Sequence, residues 1–302
     1  MSHVLRAGTL RIEMRERALL MGVVNASPDS FSDGGRYSTL EERVKLAGDL
    51  LDDGADILDV GGESAATNRP AVEVEREIER VVPLIERLTG EFGAIVSVDT
   101  YKPAVARAAI AAGACIVNDV SGLRDPELAS VCAQSGAALV LMHTRAAPKQ
   151  RLQDPNLYGD VVEDVLAFLA QRMAVAIEHG VEPEQIVVDP GPDFAKTPAQ
   201  TIELLGALPR LHALGRPLLM AISRKDFIGA LTGRAPRERL AGTLAALAHG
   251  LDNGAQIVRV HDVAAAADYL KVRAALRGES DPGRDLALAE ELRYERSLAD
   301  TG

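Results

Sequence analysis

One rhythm runs through the interior of the chain. A short run of β-branched and aliphatic residues ends in polar side chains, an alanine- and leucine-rich helical stretch follows, and the next run begins. The runs read as strands are 19–24 (LLMGVV), 56–60 (DILDV), 94–98 (AIVSV), 115–117 (CIV), 138–142 (ALVLM), 186–188 (IVV), 218–222 (LLMAI) and 256–260 (QIVRV). Helical patterns lie between them, near 40–53, 72–89, 103–112, 126–135, 160–179, 199–213, 237–252 and 263–276. Gly-Ala pairs at 54–55, 113–114, 136–137 and 254–255 fall where a helix should end and a strand begin, as a glycine C-cap does. Strands alternating with helices predict a parallel sheet. Eight such units within about 250 residues fit a closed α/β barrel, the (β/α)8 TIM barrel, as one domain over 19–277. An open doubly wound sheet is the alternative, and no GxGxxG follows the first strand to support it.

Two segments stand outside the rhythm. Residues 1–18 are charged and weakly alternating, which predicts an N-terminal extension forming a small hairpin or strand at one barrel end. The C-terminal tail, 278–302, opens on the turn signal Ser280-Asp281-Pro282-Gly283, and a short amphipathic helix is expected near 285–298. From Glu279 onward it holds seven acids against three arginines and is assigned no chemistry.

In such a barrel the residues that follow the strands line one rim, where active sites form. Read in order, they are Asn25; Gly61, Gly62 and Glu63; Asp99; Asn118 and Asp119; His143; Asp189; Ser223, Arg224 and Lys225; and Arg259 with His261. Any one polar residue there could reflect a wet loop. Together they place amides and carboxylates at the lip of a dry barrel, where acids need donors because an unpaired buried charge is costly. Such a set suits a ligand rich in N–H groups, an aminopyrimidinone ring for example. Arg69, Arg224, Lys225, Arg259 and His261 form a local cationic set suited to a phosphate or pyrophosphate. Arg224 could equally start a surface helix, and His261-Asp262 could cap the helix that begins there. The first loop, NASPDSFSDGG (25–35), is polar and glycine-closed and carries Phe31, the character of a lid that orders on binding; an ordinary turn-rich loop reads the same way.

Composition narrows the partners. Basic residues number 33 and acidic ones 44, a formal charge of −11, so gripping a nucleic-acid backbone is disfavoured. Hydrophobic residues make up 47% and charged ones 25%, which excludes wholesale disorder. Cys115 and Cys132 lie in apolar stretches and read as reduced core residues. The first residues lack the apolar core of a signal peptide and no run is long enough for a bilayer, so a cytoplasmic protein without membrane contact is expected.

The motifs together resemble one known family. MGVVNASPDSFSDGG (21–35), DILDVGGES with the later RP (56–64, 69–70), SVDTYKPAVARAAIAAGACIVNDVSG (97–122), VLMH (140–143), VVDPG (187–191), SRK with FIG (223–229), and ERLAGTLAA through GAQIVRVHDV (238–263) are similar to the dihydropteroate synthases among the pterin-binding barrels. The resemblance implies a transferase of folate biosynthesis, the target of sulfonamides, that joins 6-hydroxymethyl-7,8-dihydropterin pyrophosphate to p-aminobenzoate with Mg²⁺. It assigns Asp99, Asn118 and Asp189 to the pterin ring, with Met142 beneath it and Lys225 on its carbonyl side. Asn25, Arg259 and His261 would take the pyrophosphate, Asn25 through the metal. Arg69, Pro70, Phe31 and Ser223 would shape the aminobenzoate pocket. Lys225, Arg69 and Asp29 are its catalytic set, Asp29 by ordering the first loop. It also implies a homodimer through the late helices.

The chain departs from the family where the aminobenzoate would sit. The second loop, ESAATNRPA, is longer, so either Ala65 or Thr67 stands for the family threonine. HTRAAP, DPGPDFAKT and SRKDF replace the usual HM-G-P, DPG-GFGKT and SRKSF, the last adding Asp226 beside Lys225. A pterin-binding paralogue without synthase activity, or a methyltetrahydrofolate methyltransferase, are the alternatives these changes leave open.

Overall fold

The computed structural model describes residues 3–14, 17–26, 39–64 and 67–293. All eight expected interior strands form: β3 (Leu19–Asn25), β4 (Ile57–Gly61), β5 (Val96–Asp99), β6 (Ile116–Asp119), β7 (Ala138–Met142), β8 (Ile186–Asp189), β9 (Leu219–Met220) and β10 (Ile257–Val260). They pair in parallel in the order β8-β7-β6-β5-β4-β3-β10-β9. A bridge between Val188 and Leu218 joins the two ends and closes the (β/α)8 barrel. Several strands run past the apolar runs into their polar tips, because Asn25, Asp99, Asn118 and Asp189 keep the ladder register with their neighbours. Ahead of the barrel, β1 (His3–Ala7) and β2 (Leu10–Met14) pair as an antiparallel hairpin.

The helices are α1 (Leu40–Asp52), α2 (Val74–Phe92), α3 (Pro103–Ala111), α4 (Glu127–Ser135), α5 (Val161–Glu178), α6 (Pro198–Gly206), α7 (Leu208–Leu211), α8 (Asp226–Thr232), α9 (Leu240–Asp252) and α10 (Val263–Leu276). Thr39 with Glu42 and Thr197 with Gln200 make capping boxes at α1 and α6, satisfying amides that a helix start leaves bare. Gly54, Gly113, Gly136 and Gly254 all take the left-handed conformation their Gly-Ala pairs imply. The stretch read as one helix over 199–213 is broken between α6 and α7, where Pro209 has no amide to donate and its ring opposes continuation. Helix α8 was not legible. No helix forms over 285–293, which holds only a single 3-10 turn at Glu290–Leu292; the remainder of the expected tail helix lies outside the described residues.

Alternation along the strands sorts the interior into two layers. Met21, Ile57, Ile116, Ala138, Val140, Val187, Leu219 and Ile257 point into the barrel and pack with Leu5, Ala7 and Met14 of the hairpin, giving an apolar plug at the strand starts. The intervening positions, such as Leu58, Val98, Val117, Leu139 and Val258, pack outward against the helices. One more step of two along each strand puts Asp59, Asp99, Asn118, Met142, Asp189 and Arg259 inside, above that plug. The fold thus builds a bowl with a dry base and a polar wall.

Candidate active site

Arg259 stands at the centre of the wall. Its Nε donates to Asp59 Oδ2 at 2.6 Å and its Nη2 to Asp99 Oδ2 at 2.9 Å, and Asn118 Nδ2 donates to the same Asp59 oxygen at 3.0 Å. Three strands, β4, β5 and β10, therefore meet through one guanidinium, and β6 joins them through Asp59. Asp59 Oδ1 and Ser97 Oγ are buried beneath it without a hydrogen-bond partner among the described residues. Burial pushes the Asp99 carboxyl above the usual carboxylate range, against the pull of Arg259. On the far side, Asp189 Oδ1 accepts from the Gly191 amide at 2.7 Å. Burial pushes the Asp189 carboxyl up to about 6, with the Gly191 amide and Lys225 pulling the other way. Met142, adjacent to Asp189 in the ladder, is buried and supplies an apolar surface between the polar groups.

The cationic rim is split between the site and the frame. Lys225 Nζ lies over the Phe194 ring, 4.2 Å from its centroid, and burial lowers its pKa, opposed by Asp193 and Asp189. His261 shares Ser223, whose Oγ accepts from the His261 amide at 3.2 Å and meets Nδ1 at 3.0 Å. Arg224 takes a left-handed backbone and grips Asp262 with both arms, at 3.1 and 2.7 Å, so it ties the β9 tip to the start of α10. Asp262 gives α10 no side-chain cap. The added Asp226 turns to Arg239 at 3.1 Å, and Asp193 accepts from the Asp226 and Phe227 amides at the start of α8. These two departures from the family pattern thus serve the same short helix.

Asn25 ends β3 half-buried at the rim. Arg69 is half-buried in the second loop, while Thr67 and Pro70 are exposed. That loop is pinned from below: Lys102 Nζ donates to Glu63 Oε2 at 2.8 Å, to Glu77 Oε2 at 2.5 Å and to the Val72 carbonyl at 2.5 Å. Across the mouth, Lys149 pairs with Glu63 at 3.2 Å. A cavity of about 370 Å³ opens between the loops after β7, β8 and β9, with Thr67, Phe194 and Lys225 among its walls. Asp29, Phe31 and Ala65 lie outside the described residues.

Two rim residues do not face the bowl. Asp119 and His143 fall on the outward phase of β6 and β7, since a one-residue step turns a side chain to the opposite face of a sheet. Asp119 accepts from the Ser121 and Leu123 amides at 2.8 and 2.5 Å and staples its own loop. His143 is buried beside Phe168, with Nε2 at 2.9 Å from Asp164 Oδ1 and Nδ1 at 2.8 Å from Lys196 Nζ. Burial pushes its pKa down to about 4, and that of the fully buried Lys196 down to about 7. Conversely, Asp59 is inside the bowl although it lies within the run DILDV and not at its end. Its signal is the phase: it lies two residues beyond the inward Ile57. Phe194 gave no comparable signal, because a loop has no fixed period.

A family model described as pterin binding enzyme matches residues 21–261. The dihydropteroate synthase of Bacillus subtilis is 42% identical over 266 residues, 88% of this chain and 90% of that one. A solved dihydropteroate synthase of Xanthomonas albilineans with 4-aminobenzoic acid is 43% identical, superposes with a TM-score of 0.84, and is matched over 92% of this chain and 99% of its own. The same enzyme in complex with 7,8-dihydropteroate superposes with a TM-score of 0.81 at 42% identity, over 91% of this chain and 98% of its own.

Proposed function

The chain belongs to the pterin-binding enzymes, among the dihydropteroate synthases, and from that membership we propose how its bowl divides the work of the reaction. It condenses 6-hydroxymethyl-7,8-dihydropterin pyrophosphate with p-aminobenzoate, giving 7,8-dihydropteroate and pyrophosphate. The observation that supports the division best is the convergence of Asp59, Asp99, Asn118 and Arg259 from separate strands onto one hydrogen-bonded cluster opposite Asp189.

Asp189, Asn118 and Asp99 take the N–H-rich edge of the pterin, and Met142 lies beneath the ring. A site built of buried acceptors rejects rings without matching donors, because its own groups would be left unpaired. Lys225 serves the carbonyl side of the ring. Arg259 and His261 receive the pyrophosphate, where a guanidinium offers two parallel donors. Arg69, Pro70, Thr67, Ser223 and Phe194 bound the aminobenzoate, and we assign Phe31 and Asp29 to the same half of the reaction. The aromatic amine is neutral at pH 7, so no strong base is required. The hard step is loss of pyrophosphate, and fixed cations aimed at the departing anion lower its barrier. Closing the loops excludes water until the amine arrives.

The donor set fits Mg²⁺. The Asn25 carbonyl is a single hard oxygen at the rim, and the described residues hold no cluster of acids, histidines or cysteines that could bind a cation without substrate. Mg²⁺ ordinarily binds through few protein oxygens together with substrate phosphates. When bound, it supplies charge neutralisation at the leaving pyrophosphate. Pyrophosphate release should need both substrates and stop on chelation with EDTA. Release without aminobenzoate, or undiminished by chelation, would refute this division.

Affinity for a pterin lacking the pyrophosphate should depend on pH through Asp189. Its carboxyl titrates near 6, above the ordinary range, so the ionised acceptor is present above that value and lost as pH falls through it. Titration calorimetry should show affinity falling between pH 7 and pH 5; a flat profile would contradict the role.

We also assign a cytoplasmic location and a homodimer. No helix among the described residues is long and apolar enough to cross a membrane. Val272 and Leu276 are exposed on α10, an apolar strip suited to a second copy. Sedimentation should give twice the 32.1 kDa chain mass, and a Leu276→Glu variant should shift it to one chain.

A further inference from the structure

The loop after β8 carries an internal post that the reaction as described does not use. Lys196 is wholly buried, yet its Nζ meets three close acceptors: His143 Nδ1 at 2.8 Å, the Gly191 carbonyl at 2.8 Å and the Phe194 carbonyl at 3.1 Å. The His143 carbonyl stands further off, at 3.5 Å. These three acceptors account for the donors that a lysine Nζ can offer. The partner imidazole is prepared for its part. Asp164, itself held by Arg145 at 3.0 and 2.6 Å, accepts from Nε2 and leaves Nδ1 as an acceptor. Burial keeps that imidazole neutral at physiological pH. The chain Arg145–Asp164–His143–Lys196 thus runs from the surface to the backbone of Phe194.

Phe194 is the residue on which Lys225 rests, and it lines the cavity at the mouth. Gly191, the other anchor, can carry no Cβ, which would strike the His143 carbonyl, and its left-handed conformation already favours glycine. Asp189 depends far less on the post, because the β7–β8 ladder and the His143 amide, donating to its carbonyl at 2.9 Å, fix its backbone.

We propose that Lys196 is a positioning residue for the aminobenzoate half of the site: by holding the Gly191 and Phe194 carbonyls it sets the Phe194 ring at the cavity of the mouth. This rests on the division of roles given above. A misplacement of about an ångström at a reacting site can cost a hundredfold in rate, so the post has leverage although it touches no substrate.

The test is the kinetic split in Lys196→Met, which keeps the volume and removes the donors. The KM for p-aminobenzoate should rise about tenfold or more, while the dissociation constant for the pterin pyrophosphate moves by less than about threefold. His143→Leu should reproduce the split, and His143→Asn, which retains an acceptor near the Nδ1 position, should largely restore the wild-type KM. A folded Lys196→Met with unchanged KM for aminobenzoate would overturn the inference. So would parallel losses for both substrates. If Lys196→Met and His143→Leu both fail to fold, the post is purely structural and the inference fails. Wild-type turnover in the same assay tests the underlying division of roles separately.

Discussion

Arg259→Ala should lose both activity and stability. The guanidinium neutralises Asp59, which is wholly buried, and Asp99, so its removal strands two carboxylates in a dry wall. Breaking a buried pair from one side typically costs about 3–5 kcal/mol. The loss of a fixed donor to the departing anion costs about 2.7–4 kcal/mol more in the transition state, a hundredfold or greater fall in kcat/KM. The two effects can be separated. Arg259→Met combined with Asp59→Asn should recover part of the melting temperature, because one stranded charge is gone, and none of the turnover. Initial rates and thermal melts on the single and double variants provide the check. Activity that returned along with stability would mean that Arg259 only holds the frame.

Asp189→Asn should move the two properties in opposite directions. The carboxyl titrates near 6, so at pH 7 the fold carries an ionised group whose burial disfavours the charge. The sign follows: a carboxyl whose pKa is raised on folding contributes stability below its unfolded value and loses it as pH rises through the folded one. A neutral amide removes that cost, a gain on the order of 1–3 kcal/mol at pH 7. For the pterin the exchange is unfavourable. An ionised acceptor is replaced by a group that can present N–H to N–H, and hydrogen bonds to charged groups are worth about 1.5–3 kcal/mol each. Affinity should therefore fall at least about tenfold while the melting temperature rises. A destabilised variant with intact affinity would reverse the assignment.

Much of this architecture was legible because parallel strands and helices announce themselves by composition and by glycine at the helix ends. The barrel's inner wall was only partly legible. Asp99, Asn118 and Asp189 end apolar runs, and the structure brings them into the bowl. Asp119 and His143 end the same kind of run and point the other way, since position after a strand does not reveal the phase of the side chain. The phase is readable only once the strand's inward positions are known, and the same holds for Asp59 inside DILDV. His143, Asp164 and Lys196 come from the end of β7, from α5 and from the loop after β8, and no local pattern encodes such a meeting. Helix α8 is short and depends on Asp193, far away in sequence, for its first amides. The departures HTRAAP and DPGPDFAKT look like erosion of a motif in one dimension. In three dimensions Arg145 and Asp193 have partners of their own.

The most direct measurement is calorimetric titration of 6-hydroxymethyl-7,8-dihydropterin pyrophosphate, with Mg²⁺, into the wild type, Asp189→Asn and Arg259→Ala. If one bowl clasps both the ring and its anionic tail, the wild type binds one equivalent, and each variant loses affinity by at least about tenfold. Equal heats and equal affinities in all three proteins would contradict the account.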